Sequence, residues 1–365
     1  MNRRAPGFTI IEMLIALSIV SLVVAAASAF FIASVTQYKT QTKIIETNVE
    51  GILGMELLRQ DLESMGFGLP WNNLVAYDDA RSGVDPSYPA DLDDSPNPPR
   101  AVVSIDCAAF TVNRSDYLVI KSARVGTGDA AGKWTTLTQT DTKRTWTPLA
   151  ENIANNDYVI VLRVGTTDAN RRSLVTSGTF HTRYNNTGGF VPVEPYLANL
   201  VYGIGPGTTV PVRPFNRAEY YIANAASTPP VSVPQHCAPN TGVLVKAVVA
   251  QAAGGPTQAL LPLVDCAADL QVVYGLDNNA DGTVDSWTDD ISVGMDSAQI
   301  RARLAEIRLH ILAQEGQLDK TYSHTMNPIT VGSEGAGNPS FSITGYEHYR
   351  WKLYSIVVRP KNLAQ

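Results

Sequence analysis

The sequence predicts an α+β chain: a long N-terminal helix, transmembrane in its first half and amphipathic in its second, packed on a β-rich, mainly antiparallel globular head. Three observations carry this. Residues 8–35 form an apolar run without Lys, Arg, Asp, Pro or Gly. No Pro, the strongest helix breaker, occurs between Pro6 and Pro70. Beyond that interval the chain alternates turn-rich stretches with short runs of β-branched and aromatic residues, the pattern of half-buried strands.

The apolar run comes first. As a helix rising about 1.5 Å per residue, residues 8–35 would extend roughly 42 Å, beyond the roughly 30 Å core of a bilayer. Arg3 and Arg4 precede it, which places the N-terminus on the cytoplasmic side. No later run is comparable, so the expected topology is one span with the head outside the cytoplasm. One acid, Glu12, stands inside the run. A charge at that depth costs on the order of 2.5–3.5 kcal/mol or more, so a retained Glu12 must gain a partner. The alternative is a removable secretory signal, with the basic pair, the apolar run and Ala27-Ser28-Ala29 as its cleavage site. Glu12 opposes it, as does the apolar character that continues through Phe30, Phe31, Ile32 and Val35.

From Val35 onward, Tyr38, Ile45, Val49, Ile52, Met55, Leu58, Leu62 and Met65 recur at threes and fours, with one weak turn at Thr42. That stripe predicts an amphipathic helix facing the head. Gly66, Gly68 and Pro70 form a stop signal. Gly51 and Gly54 are read as tolerated helix glycines. The resulting organisation is a short segment 1–7, a helix over 8–66 and a head over 67–365.

The head is large enough for a single core or for a core sheet with an inserted subdomain. A net charge of −6 with no basic stripe argues against nucleic acid. Residues 70–100 are rich in Pro, Asp and Ser and are expected to form a loop over the surface. Strands are expected at 101–105, 116–125, 157–164, 218–224, 242–250, 270–276, 306–314 and 349–359, with a short helix at 297–304. In EIRLHILAQ, Ile307, Leu309 and Ile311 alternate with Arg308 and His310, which puts His310 toward solvent. Gly203-Ile-Gly-Pro-Gly207 is read as a turn.

Cys107, Cys237 and Cys266 would lie in an oxidising compartment, so one disulfide and one leftover thiol are expected. The shorter loop favours Cys237 with Cys266; Cys107 with either, or three unpaired thiols, are the alternatives. His236-Cys237 lacks the spacing of a zinc site. Asp277, Asn279, Asp281, Gly282 and Asp285 fall at positions 1, 3, 5, 6 and 9 of a calcium loop, with the Thr283 carbonyl at position 7. Position 12 is Thr288 rather than a bidentate acid, with Asp289 one residue on. An Asx-rich hairpin turn needs the same residues, so Ca2+ and a plain turn both stand as readings. The five histidines are scattered, with neither HExxH nor G-x-S-x-G, and the expectation is a chain that is not an enzyme. No haem-attachment motif occurs either.

GFTIIEMLIALSIV closely resembles the type IV prepilin signature: a basic leader ending in Gly, then Phe, then an apolar run with Glu four residues after the Phe. Gly7, Phe8 and Glu12 occupy those positions, with Arg3 and Arg4 in the leader. The resemblance implies cleavage after Gly7, N-methylation of Phe8 by the prepilin peptidase/methylase, and retention of the apolar helix. Free α-amines titrate near 7.7–8.0, so the new N-terminus would be largely cationic. Glu12 would then meet the amine of a neighbouring subunit, an attraction strengthened by low dielectric and offset by desolvation. The tail resembles PilW-type minor pilins: Tyr274-Gly-x-Asp277 running into the Asp-rich loop, Ser-Ala-Gln-Ile-Arg at 297–301, then EIRLHILAQ and the closing HYRWKLYSIVVRPKNLAQ. Tyr349-Arg350-Trp351 departs from the family's Tyr-Arg-Arg. This resemblance implies an enlarged pilin fold and a protein that primes assembly or sits at the filament tip. Its implied partners are other minor and major pilins and the assembly platform, first in the bacterial inner membrane and then in the pilus. The J-type minor pseudopilins of type II secretion share the leader, though their heads are usually smaller. An adhesive or ligand-binding head is the third reading.

Overall fold

A computed structural model describes residues 7–72, 75–79, 90–106, 111–165, 167, 171–192, 196–205, 208–252, 258–332 and 339–363. Its first element, α1, runs without a break over Ile10–Ser64. The chain leaves it through Met65, then Gly66 and Gly68, whose φ values of 76° and 73° lie in the left-handed region that glycine tolerates. The stop signal read from the sequence therefore works by backbone conformation.

The strands follow in chain order: β1 Val102–Asp106, β2 Asp116–Ser122, β3 Trp134–Leu137, β4 Tyr158–Arg163, β5 Ser173–Leu174, β6 Thr182–Arg183, β7 Asn199–Gly205, β8 Asn216–Ala223 and β9 Gly242–Val249. Then come β10 Gln258–Leu276, β11 Ser286–Thr288, helix α2 Ser297–Arg303, β12 Leu304–Glu315, β13 Ile329–Thr330, β14 Ser340–Phe341 and β15 Arg350–Val358. The main sheet has the order β1-β2-β8-β9-β10-β12-β15, with β11 beside β10, and every described pairing between its strands is antiparallel. A smaller antiparallel sheet, β3-β7-β4-β5 with β6 on β4, is inserted between β2 and β8. All eight expected strands are present. The 270–276 run proves to be the end of a strand that starts at Gln258 and shifts register where Pro262 to Asp269 pass its neighbours. The run 203–207 is not a turn as far as Gly205: Gly203 and Gly205 belong to β7, and a Cβ on Gly203 would lie 2.3 Å from the Ala130 carbonyl.

Alternation along the strands sorts their two faces. Leu118, Ile120, Ala218, Tyr220, Ile222 and Leu244 point into the core beneath α1. Tyr117, Val119, Tyr221, Val243 and Val245 point the other way. That second face is covered. Leu92, from the segment expected to lie on the surface, is fully buried on it, and Trp71, Tyr77, Asp79, Asp94 and Arg100 are buried as well. The surface-loop reading of 70–100 is thus corrected for its described ends; residues 73–74 and 80–89 lie outside the described residues. His310 is corrected too. It is buried, with Nδ1 2.9 Å from Ser355 Oγ, because Ile329, Phe341, Ile343 and Trp351 pack over the far side of the sheet.

The helix stripe is also rotated from its expected position. Met55, Leu58, Leu62 and Met65 are buried against the sheet, but Tyr38, Ile45, Val49 and Ile52 are exposed. The face turned to the head passes through Gly51 and Gly54 instead. A Cβ on Gly54 would lie 2.2 Å from the Leu263 carbonyl, and one on Gly51 would lie 2.7 Å from Tyr354 Oη. These glycines are close-approach positions rather than tolerated ones, since no side chain fits between helix and strand there.

Candidate assembly site

The N-terminal stretch is built around Thr9. Gly7, Phe8 and Thr9 precede the helix, and Phe8 is 89% exposed. Thr9 is the N-cap, in extended backbone (φ −78°, ψ 151°), and Glu12 occupies the third helical position. The Glu12 amide donates to Thr9 Oγ1 (3.3 Å), while Glu12 Oε2 accepts from the Thr9 amide (2.9 Å) and hydroxyl (2.8 Å). This reciprocal capping box satisfies donors that a helix start leaves open. It also fixes the carboxylate at the positive end of the helix dipole. Among the described residues nothing donates to Glu12 Oε1, so one oxygen stays available to a cation outside the chain. Sequence reasoning missed Thr9. The signal was present as T-x-x-E over 9–12, which marks a helix start.

Around this site no described residue of the head packs on the helix. Ile10, Ile11, Met13, Leu14, Ile15, Leu17, and on through Phe30, Phe31 and Ile32, are exposed. The helix is long and apolar enough to cross a membrane.

Its second half is clamped. The Gly316 amide donates to Thr47 Oγ1 (3.0 Å), Lys352 donates to Asn48 Oδ1, and Asn362 Nδ2 donates to the Glu63 carbonyl (3.0 Å). Asp61 receives both the Tyr220 hydroxyl and Lys246 Nζ, the latter at 2.5 Å. Strands β8, β9 and β15, together with Gly316 just after β12 and Asn362 after β15, thus hold the helix, so the apolar first half projects from a fixed base.

The remaining sequence-predicted residues lie far along the chain. In the loop between β10 and β11, Asp277 Oδ1 accepts from the amides of Asn279 (3.2 Å), Ala280 (2.6 Å) and Asp281 (3.3 Å), and Oδ2 accepts from Gly282 (2.7 Å). Asp285 Oδ2 accepts from the Asn278 amide (2.7 Å), and Asp281 Oδ1 accepts from the Thr283 amide and hydroxyl. Asn279 Nδ2 joins Asp281 to Asp285 at 3.1 and 3.4 Å. Ala280 and Gly282 take left-handed φ values of 62° and 87°. The structure therefore gathers Asp277, Asn279, Asp281, Thr283 and Asp285 into one turn whose carboxylates already serve its own amides. Cys237 and Cys266 are joined, S–S 2.01 Å. His236 lies beside them, its ligating atom within 4.8 Å of both sulfurs, but sulfurs bonded to each other are not thiolate ligands. Cys107 lies outside the described residues.

Comparison with known proteins agrees with both ends of this description. Residues 219–362 match the family described as type IV pilus-assembly protein W, and residues 2–28 match the prokaryotic N-terminal methylation motif. No curated protein matches significantly. Among solved structures the chain is similar to a type IV-like pilin from Thermus thermophilus at 10% identity, covering 87% of this chain and 98% of that one, with a TM-score of 0.32; the two are only loosely alike at that score. With a prepilin methylation motif at the head of an exposed apolar helix and a PilW-family segment closing the β-rich head, this chain is similar to the PilW-type minor pilins of type IV pili.

Proposed function

We propose that this protein primes type IV pilus assembly and remains at the filament tip, through bundling of α1 with the helices of other minor and major pilins. The observation that carries the reading is the helix start. Glu12 has one oxygen fixed by Thr9 and the other without a donor among the described residues, inside an otherwise exposed apolar face. Cleavage after Gly7 by the prepilin peptidase/methylase would free a cationic, methylated amine on Phe8. In a bundle staggered by one subunit, that amine meets Glu12 of the neighbour. A buried charge without its partner is far more costly than the pair, so the glutamate sets the register of assembly and penalises a misplaced subunit. Before assembly the same helix anchors the chain in the inner membrane, with Arg3 and Arg4 on the cytoplasmic side and the head in the periplasm.

The head's size supports a tip position: a main sheet with a second sheet inserted between β2 and β8 would be hard to repeat along a thin filament. Deleting the gene separates the readings. Lost piliation supports the priming role. Normal pili with lost secretion would point to the J-type pseudopilin. Normal pili with lost attachment would point to an adhesive head.

A calcium ion at the 277–285 loop is a separate and smaller proposal. It is supported by the alternation of Asp277, Asn279, Asp281 and Asp285 in one tight turn, and opposed by the amide hydrogen bonds those carboxylates already accept. A calcium titration followed by melting temperature decides between ion and turn.

A further inference from the structure

The inserted sheet carries a cleft that the assembly role does not use. It encloses about 580 Å³ between the end of β2 and the edge strand β3, and is lined by Trp134, Trp146, Arg124, Lys133 and Glu151. That volume falls within the range of small-molecule sites. Both tryptophans are half-buried; their ring centroids lie 4.8 Å apart and the planes are tilted by 57°.

The tryptophans are held before any ligand arrives. Trp146 Nε1 donates to the Trp134 carbonyl (2.6 Å), the Trp146 amide donates to Asn152 Oδ1 (2.7 Å), and Asn152 Nδ2 donates back to the Trp146 carbonyl (2.9 Å). Trp134 sits on a strand paired to Tyr202. Such a site loses little conformational entropy on binding. Nothing in a pilin's helix bundling requires two ordered tryptophans at the edge of an insertion.

The charge at the rim is lopsided. The Arg144 guanidinium stacks on the Trp146 ring with its centre 4.1 Å from the centroid, a cation–π contact. Arg124 and Lys133 face the same space. Among the described residues none of these three cations forms an ion pair, and Glu151 is the one acid lining the cleft. In a chain with 28 basic and 34 acidic residues, the two tryptophans thus have three cations near them, Lys133 in the cleft, Arg124 at its border with its guanidinium 5.5 Å from the Phe67 ring centroid, and Arg144 stacked on Trp146.

We propose that this cleft binds an acidic saccharide. The apolar ring face takes the C–H side of a sugar. Arg124, Lys133 and Arg144 receive its carboxylate, and Glu151 accepts from hydroxyls. A neutral apolar ligand would leave the cations unpaired, and a bare anion would leave the aromatic floor unused. The inference rests on the cleft alone, so its failure leaves the assembly reading intact.

Isothermal titration of the full-length chain in detergent with trigalacturonate is the test, with galactotriose and sulfate as comparison probes. The expected result is saturable binding of trigalacturonate that weakens as salt is raised, with galactotriose and sulfate each at least about tenfold weaker. Arg144→Glu, at an exposed side chain whose reversal spares the core, is expected to lose about tenfold in affinity at an unchanged melting temperature. Trp146→Ala is expected to lose more, and Trp146→Phe to retain part of the affinity. No binding of trigalacturonate to the wild-type chain would overturn the proposal. So would equal binding of galactotriose or sulfate, or full affinity in Arg144→Glu.

Discussion

Gly54 faces the carbonyl of Leu263 so closely that a Cβ on the glycine would lie 2.2 Å from that oxygen. The contact joins α1 to β10, the strand that crosses beneath it. In an exposed helix, Gly→Ala gains about 1 kcal/mol. Here the neighbour is backbone in a central strand and cannot swing aside. Gly54→Ala is therefore expected to destabilise by about 1–3 kcal/mol, the range of overpacked cores. Gly51→Ala meets a tyrosine ring that can move and is expected to cost less. Thermal melts of the two variants check both sign and order; a stabilised Gly54→Ala would contradict the packing.

A second prediction concerns the outer face of β2 and β8. Lys121, Arg217 and Glu219 are fully buried there. Lys121 Nζ lies 2.5 Å from Asp79 Oδ2 and also contacts Asp94, Arg217 Nη1 lies 3.1 Å from Asp79 Oδ1, and Arg100 Nε lies 2.6 Å from Asp94 Oδ1. These pairs fasten the described ends of 70–100 to the sheet. Lys121→Met leaves two carboxylates facing one cation fewer in the interior, and a loss of about 3–5 kcal/mol is expected. Urea unfolding midpoints measure it.

The same cluster sets a pH dependence. Burial pushes the Asp79 carboxyl up, but Lys121 and Arg217 more than offset that and hold it below the ordinary carboxylate range. A depressed carboxylate contributes stability that is present above its unfolded value and lost as pH falls through the folded one. Acidification below about pH 4 is expected to release the described stretches 75–79 and 90–100 from the sheet. Hydrogen exchange of the Asp94 and Arg100 amides, bonded to Asp79 and Asp94, reports that step.

Asp269 has the opposite sign. Burial lifts its carboxyl to about 6, against the hydrogen bond from Gln271. Its contribution is complete below an ordinary carboxylate value and is lost as pH rises through about 6. Asp269→Asn is expected to raise the melting temperature by a few degrees at pH 7.5 and to change it little at pH 3.5. A gain of equal size at both values would contradict the titration.

At the 277–285 loop, Asp277→Ala removes the acceptor for four amides and is expected to lower the melting temperature with or without calcium. Millimolar calcium raising the wild-type melting temperature but not that of Asp277→Ala would support the ion; no wild-type shift leaves a turn only.

Much of this architecture was legible in the residues. The unbroken helix followed from the absence of Pro and the apolar run, and the eight strands from their alternation. Alternation reports only which residues share a face, however, and not what covers that face. Nothing in the alternation of β2 and β8 shows that Leu92, Asp79 and Asp94 close over Lys121, Arg217 and Glu219, and His310 was misread for the same reason. The helix stripe erred because apolar residues were counted and glycines were not. Where backbones meet, as at Gly54 and Leu263, the buried position carries no side chain to detect. At the assembly site, Glu12 was legible from its cost in an apolar run. Thr9 was not legible in the same way, because a Thr at the edge of an apolar run carries no such cost and shows its role only through the helix start it caps.

The central claim is that the apolar helix is kept and begins at Phe8, with Glu12 poised for a neighbour's amine. Mass spectrometry of the mature N-terminus tests it most directly. The expected mature chain begins with N-methyl-Phe8 and retains Thr9 and Glu12; a chain beginning at Ser28 or Phe30, with that segment removed, would overturn this reading.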